Sequence, residues 1–459
     1  MSEAAPAPRG LTTSEEIATG QTAPVPLVSA AFRSYALVVL LLVYTVNFLD
    51  RQIVSILAEP IKNDLKISDT QLGLLTGFAF GIVYCGLGLP IARLADRFNR
   101  VWIISASLAV WSACTVLCGR ALGYPTLVMA RMGVGVGEAG CTPTAHALIA
   151  DYTPKEKRAS ALAFFSMGTP LGALLGLAMG GVIADAYGWR AAFLIAGLPG
   201  LILAAVCFFT LKEPRNALTE ASRKANHAAQ MSFGATVRYL AQKRTFWYLA
   251  FGAAIKAFIG YGHAPFTASF FLRNHGPEIA QLASQFGLKP VGFMGIALGL
   301  LSGIFGTISS WAGGAIADKF GARDLRAYGS VPAIASLVVI PFYVSAMSVD
   351  SAILALALLI PIYLMGALWY GPVYASAQSL VPPNMRATSA SIVLFIINML
   401  GLGFGTLVVG ALSDWFNVGW GLGKGQGVRW ALIVSASFGL ISATLFWLAR
   451  RRIREEMVS

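Results

Sequence analysis

Apolar runs of about twenty residues alternate with short charged segments along this chain, and that run length is the one a bilayer dictates: a hydrocarbon core of about 30 Å needs about 20 helical residues at 1.5 Å each. Twelve runs are readable, near 35–60, 70–92, 102–120, 125–150, 159–185, 190–211, 245–273, 291–316, 327–347, 351–378, 387–413 and 429–449. They predict an all-α membrane protein of twelve transmembrane helices. Residues 1–34, rich in Ala, Pro, Thr and Ser, carry no apolar run and read as a disordered cytoplasmic tail, not a signal peptide. The polar stretch 212–243 reads as a linker between two six-helix bundles, 35–211 and 244–452, and 453–459 as a short tail.

Composition agrees with the pattern, because 56% hydrophobic against 12% charged residues suits a bilayer and not water. The net charge of +13 could indicate nucleic acid, but most Lys and Arg fall on the side that holds both termini. Such a bias is topogenic, predicts cytoplasmic termini, and leaves contacts with anionic membrane lipids as a lesser role. The five cysteines all lie within predicted spans and read as small hydrophobes, neither disulfides nor metal ligands. No phosphate-binding loop, nucleophile elbow or zinc motif is present, so no enzyme activity and no cofactor or metal is expected. Any transport would then draw on an ion gradient or run downhill.

Five ionisable residues interrupt the apolar runs: Asp50, Arg51, Arg131, Glu138 and Lys256. A charge at the bilayer centre costs about 3 kcal/mol on insertion scales, so such residues usually face a pathway or one another. Asp50 lies some 15 residues into the first run, about 22 Å deep, and Arg131 enters from the opposite boundary to nearly the same level. A pair between Arg131 and Asp50 or its neighbour is therefore within reach. Glu138 is two turns beyond Arg131 on the same stripe, too far for a direct bridge; the spacing suggests two stations along one aqueous path, with Glu138 alternating between partners such as Arg51 and a protonated neutral form. Adjacent residues on a helix diverge by about 100°, so of Asp50 and Arg51 one should face the cavity and the other a neighbouring helix. Asp50 and Glu138 are the candidate proton-coupling residues. Arg51, Arg131 and Lys256, with His263, are candidates for a substrate head group; three positive against two negative charges leave a surplus suited to an anion. His263 could shuttle protons, but a neutral, hydrogen-bonded core histidine is the favoured reading.

The chain also repeats itself. RLADRFNR at the end of the second run returns as AIADKFGAR at the end of the eighth, and KRASALAFF…VIAD returns as MRATSASIV…ALSD, matching Arg158 with Arg386 and Asp185 with Asp414. Two halves of the same hand follow, with a substrate site between them near the midplane. Ala92, Asp96, Arg97 and Arg100, and again Gly314, Asp318, Lys319, Gly321 and Arg323, resemble the loop signature of the major facilitator superfamily, and Arg131, Gly135 and Gly137 resemble its fourth-span motif. Finer likeness, in YTVNFLDRQIVSILAEPIKNDL and RMGVGVGEAGCTPTAHALIADYTPKEKRASA, is to the spinster family. The resemblance implies two pseudo-symmetric six-helix bundles working by alternating access in a bacterial inner membrane, as a monomer. It implies a lysophospholipid or sphingosine phosphate as substrate and protons as the coupling partner. It further implies a cytoplasmic gate in which Asp96 and Asp318, with Arg97, Arg100, Lys319 and Arg323, latch onto the span starts at Arg386 and Arg158. An uncoupled lipid scramblase and an exporter of drug-like or sugar-like solutes are the alternatives.

Overall fold

The computed structural model describes residues 28–154, 157–214, 233–321 and 323–457, which fold as twelve membrane-spanning helices in two six-helix bundles. Span 1 is Ala30–Ile56, span 3 Arg100–Gly119, span 6 Trp189–Thr210, span 7 Arg244–Asn274 and span 9 Ala327–Ser348. The others are broken or contain a wider turn. Span 2 runs Asp69–Gly73, Leu74–Phe78 and Ala79–Arg97; span 4 Tyr124–Glu138 and Cys141–Tyr152; span 5 Arg158–Ser166 and Gly168–Tyr187. Span 8 runs Pro290–Leu300, Leu301–Phe305 and Gly306–Gly321; span 10 Ala352–Gly366 and Tyr370–Ser379. Span 11 runs Arg386–Asn398, Met399–Phe404 and Gly405–Asp414, and span 12 Lys424–Ser437 and Gly439–Glu456.

Ten of the twelve are long and apolar enough to qualify as membrane spans by composition alone. The two that fall short, spans 4 and 7, are the ones that carry Arg131, Glu138 and Lys256. Their polarity is the signature of the interior they line, not of a shorter helix. Span 1 begins at Ala30, inside the segment expected to be tail, because Ser29 caps it by accepting the N–H of Phe32 at 3.2 Å. The rest of that tail, and residues 215–232 of the expected linker, lie outside the described residues. The linker's last part is a short helix, Phe233–Ala241.

Small residues set the packing, as they must where no hydrophobic effect separates helix from lipid. Span 5 lays Gly168, Gly172, Gly176 and Gly180 against span 1, where a Cβ on Gly172 would sit 2.4 Å from the Thr45 carbonyl oxygen. Its other face meets span 8 of the second bundle: a Cβ on Gly295 would fall 2.3 Å from the Leu177 carbonyl oxygen. Span 11 repeats the arrangement, with Gly405 against Phe258 of span 7 and Thr406 against Gly73 of span 2. The bundles therefore meet through two equivalent pairs, span 5 with 8 and span 11 with 2. Both pairs touch at the face opposite the termini and part toward the termini. Around Gly86 and Gly88 of span 2, and Gly306 of span 8, a Cβ would meet nothing within 4 Å. The space between the bundles thus opens toward the face that holds the termini.

Candidate functional site

Span 1 delivers its two charges in different directions. Asp50 is fully buried inside the first bundle, where one carboxylate oxygen accepts from Thr115 Oγ1 at 3.2 Å and the other has no hydrogen-bond partner among the described residues. Arg131 approaches it, but its Nη1 donates to the Asp50 backbone carbonyl at 3.4 Å and not to the carboxylate. Arg51 turns instead to span 4, where its Nε donates to Glu138 Oε2 at 2.6 Å. Arg51 is 9% exposed and Glu138 fully enclosed. Only Nε of Arg51 meets Glu138, so other guanidinium N–H groups remain for a second anion. The guanidinium also lies against three rings, 4.6 Å from Tyr84, 5.2 Å from Phe80 and 5.3 Å from Phe48, and Arg131 lies 5.4 Å from the same Phe80.

Tyrosines from both bundles converge on this point. Tyr44 of span 1, Tyr84 of span 2 and Tyr261 of span 7 come within electrostatic reach of Arg51, and Tyr370 and Tyr374 of span 10 come within reach of Tyr261 and Tyr44. Trp369 stacks on Tyr370 at 4.0 Å, and Tyr370 runs parallel to Tyr374 at 6.3 Å. None of these aromatics was singled out by the sequence, since tyrosine in an apolar helix is indistinguishable from core without its orientation.

Lys256, expected to share a head group with Arg51, and His263 lie on a different face of span 7 from Tyr261. Gly252, Lys256 and His263 share one face of span 7. A Cβ on Gly252 would meet Phe446 of span 12, and His263 Nε2 shares a hydrogen bond of 2.7 Å with Ser435 of the same span. His263 also meets the edge of Tyr343, 4.7 Å away. That face points into the second bundle, whereas Tyr261 faces the cleft. The cluster around Arg51 is consequently balanced, Asp50 and Glu138 against Arg51 and Arg131, not positive by one.

The face opposite the termini is closed by polar contacts that the sequence left unassigned. Asp69, fully buried at the start of span 2, receives Nη1 and Nη2 of Arg273 from the end of span 7, both at 2.8 Å, together with Lys62 and the Ser413 hydroxyl at 2.6 Å. Arg273 donates as well to Glu59, at 2.7 and 2.9 Å. Asp414, at the end of span 11, accepts the backbone N–H groups of Asp69 and Thr70 at 3.1 and 2.8 Å and the Thr70 hydroxyl at 2.6 Å. Asp185, its counterpart at the end of span 5, accepts the Gly292 N–H at 2.5 Å in the first turn of span 8. Each carboxylate thus caps a helix N-terminus in the other bundle, where the exposed N–H groups and the helix dipole favour negative charge.

At the opposite face the carboxylates of the expected latch fall outside the described residues. The side chains of Asp96, Arg97 and Asp318 lie outside them. Arg100 is buried and pairs with Asp151 of its own bundle, and Arg158 Nε donates to the Thr153 carbonyl at 3.1 Å. Lys319, Arg323 and Arg386 are exposed. No group of three or more His, Cys, Asp or Glu is arranged to hold a metal among the described residues.

Known proteins share this arrangement. A bacterial homologue of the human lysosomal transporter spinster, solved in an inward-facing and unoccupied conformation, superposes with a TM-score of 0.82 at 30% identity, covering 94% of this chain and all of that one. An MFS-type efflux pump of Mycolicibacterium smegmatis is 33% identical over 93% of this chain and 95% of its own. Protein spinster homolog 1 of Xenopus tropicalis is 27% identical over the whole of this chain and 90% of its own. The sequence profile of the Major Facilitator Superfamily matches residues 40–406. With that match, the two equivalent bundles and the cleft between them, this chain belongs to the Major Facilitator Superfamily and is a multi-pass membrane transporter resembling the spinster proteins.

Proposed function

We propose that this chain is a proton-coupled secondary transporter of an amphipathic, lipid-like anion such as a lysophospholipid or sphingosine phosphate, with Arg51 receiving the acidic head group. The observation that carries the reading is the buried Arg51–Glu138 pair facing an aromatic-walled cleft. In a balanced cluster of two acids and two arginines, a proton on Glu138 or Asp50 leaves one positive charge unmatched. An anion then restores balance at low dielectric, so proton and monoanion are best bound together. The phenyl and phenol walls suit an apolar body, and a lipid is what the resemblance of the sequence to the spinster family implies. The termini face, where the cleft opens and most basic residues gather, is read as cytoplasmic, which makes the conformation inward-facing. Opening at the opposite face would require the Asp69–Arg273 contacts and both carboxylate caps to break.

The 33% identity to an efflux pump favours a second reading, export of a drug-like solute through the same site. Reconstituted protein supplied with labelled lysophospholipid, with and without a pH gradient, separates the two. Gradient-stimulated flux lost in Asp50→Asn and Glu138→Gln supports the first reading. Equal flux in all three proteins, regardless of the gradient, would make the charges structural and the movement a scramblase's. Absence of lysophospholipid flux alongside gradient-driven movement of a hydrophobic dye would favour efflux.

A further inference from the structure

Outside the cleft, where spans 9 and 12 meet the termini face, Arg326, Trp447, Arg450 and Arg451 line an open groove of about 270 Å³. Close packing lies beneath it: a Cβ on Gly329 would lie 2.7 Å from the Phe446 carbonyl oxygen and 3.1 Å from Arg450 Cβ, so the two helices meet there backbone to backbone. Nearby acids are already committed. Asp324 pairs with Arg454 Nη2 at 2.9 Å and also accepts the Arg326 backbone N–H at 2.8 Å, whereas Arg450 and Arg451 have no ion-pair partner among the described residues. Arg450 stacks on Trp447 at 4.2 Å. That contact fixes the guanidinium plane and keeps its edges free to donate.

Depth completes the description. Trp447 lies one turn further into the membrane than Arg450 and Arg451, the order expected of an interfacial ring below charged groups. Below it, Leu440 and Ile441 of span 12 and Ile334 and Leu337 of span 9 are exposed on the outer surface. A groove with three cations at the water boundary, an aromatic ring beneath and aliphatic side chains deeper has the polarity profile of a phospholipid, phosphate uppermost.

We propose that this groove is a binding site for an anionic phospholipid, whose phosphate is held by Arg326, Arg450 and Arg451 while its acyl chains lie along spans 9 and 12. The site is separate from the transport cleft and does not depend on what the cleft carries. Each arginine near a membrane surface contributes about fivefold to anionic lipid affinity, so the three together are worth about a hundredfold.

The experiment is native mass spectrometry of the full-length protein, with dioleoylphosphatidylglycerol and dioleoylphosphatidylcholine as competing probes. Wild type should retain the phosphatidylglycerol selectively. The variant Arg326→Gln/Arg450→Gln/Arg451→Gln should lose that selectivity by roughly two orders of magnitude while binding phosphatidylcholine as before, which also shows that it is folded. Trp447→Leu, which spares every charge, should weaken retention by a smaller factor. Equal retention of the two lipids by wild type, or unchanged selectivity in the triple variant, overturns the proposal. So does abolition of phosphatidylglycerol retention by inorganic phosphate, which would make the groove a site for a free anion.

Discussion

Arg273→Gln should release the face opposite the termini. In the closed arrangement Arg273 is 6% exposed and makes four hydrogen bonds to two carboxylates, Asp69 and Glu59. Removing one partner of a buried ion pair costs about 3 to 5 kcal/mol, because a charge is left without compensation. Here the loss is smaller: Asp69 retains Lys62 and Ser413, and Glu59, 14% exposed, has partial access to water. A cost of about 2 to 3 kcal/mol falls on the closed state alone, which raises the open-to-closed ratio by about thirtyfold to one hundred and fiftyfold. Spin labels at Leu122 and Phe286, exposed on that face in the first and second bundle, would report it by double electron–electron resonance on a cysteine-free background. Wild type should give one short distance, and the variant a second, longer population. A lowered melting temperature with an unchanged distance distribution would refute the reasoning, since a purely structural network destabilises the fold without favouring either conformation.

Gly73→Val should open the same face by a different route, because its Cβ would lie 2.2 Å from the Thr406 carbonyl oxygen; the same label pair should lengthen, and an unchanged distance would show that the helices yield locally. Lys256→Met should leave transport intact and hold or raise the melting temperature, since the lysine is 7% exposed on a face turned away from Arg51; loss of flux would return Lys256 to the transport path. Glu278 lies outside the spans and accepts the Ala352 N–H at 2.7 Å, a hydrogen bond that holds its carboxyl below the usual range. The stabilisation is therefore full above the unfolded value of about 4.3 and is lost below it, as pH falls through the lower folded value. Glu278→Ala should lower the melting temperature near neutrality, at a cost of about 0.5 to 1 kcal/mol, with the difference shrinking toward pH 4; a constant difference would implicate packing instead.

The architecture was readable because its cause is one-dimensional. Bilayer thickness sets the length of each run, and the duplicated Asp96/Asp318 and Arg158/Arg386 segments mark the halves. Arg51 was named as one partner of Glu138, but counting residues sets the two about 10 Å apart in depth, and only the structure shows the long arginine side chain reaching the carboxylate. Lys256 could not be oriented by counting, which gives depth but not which neighbour a helix face meets; that depends on how span 7 rotates against spans 11 and 12. The Asp69–Arg273 contacts were missed for a related reason. Asp69 and Arg273 sit at helix ends, where a charge ordinarily means only proximity to water, and nothing in the residues themselves says that two such ends from different bundles are brought together. Asp185 and Asp414 were seen as landmarks of the repeat, yet their capping role needed the partner helix starts at Gly292 and Asp69 to be located.

Those two caps make the closed face an isologous contact within a single chain. One half offers a carboxylate and a bare helix end, and the other half offers the same two things in return, as two identical subunits related by a twofold axis would. A contact of that kind is self-complementary, so parting the halves strips both acids of their donors in one motion. Two locks on one rigid seam behave as a single cooperative unit. Weakening either Asp185 or Asp414 should therefore loosen both ends of the seam, and half-open arrangements should be scarce.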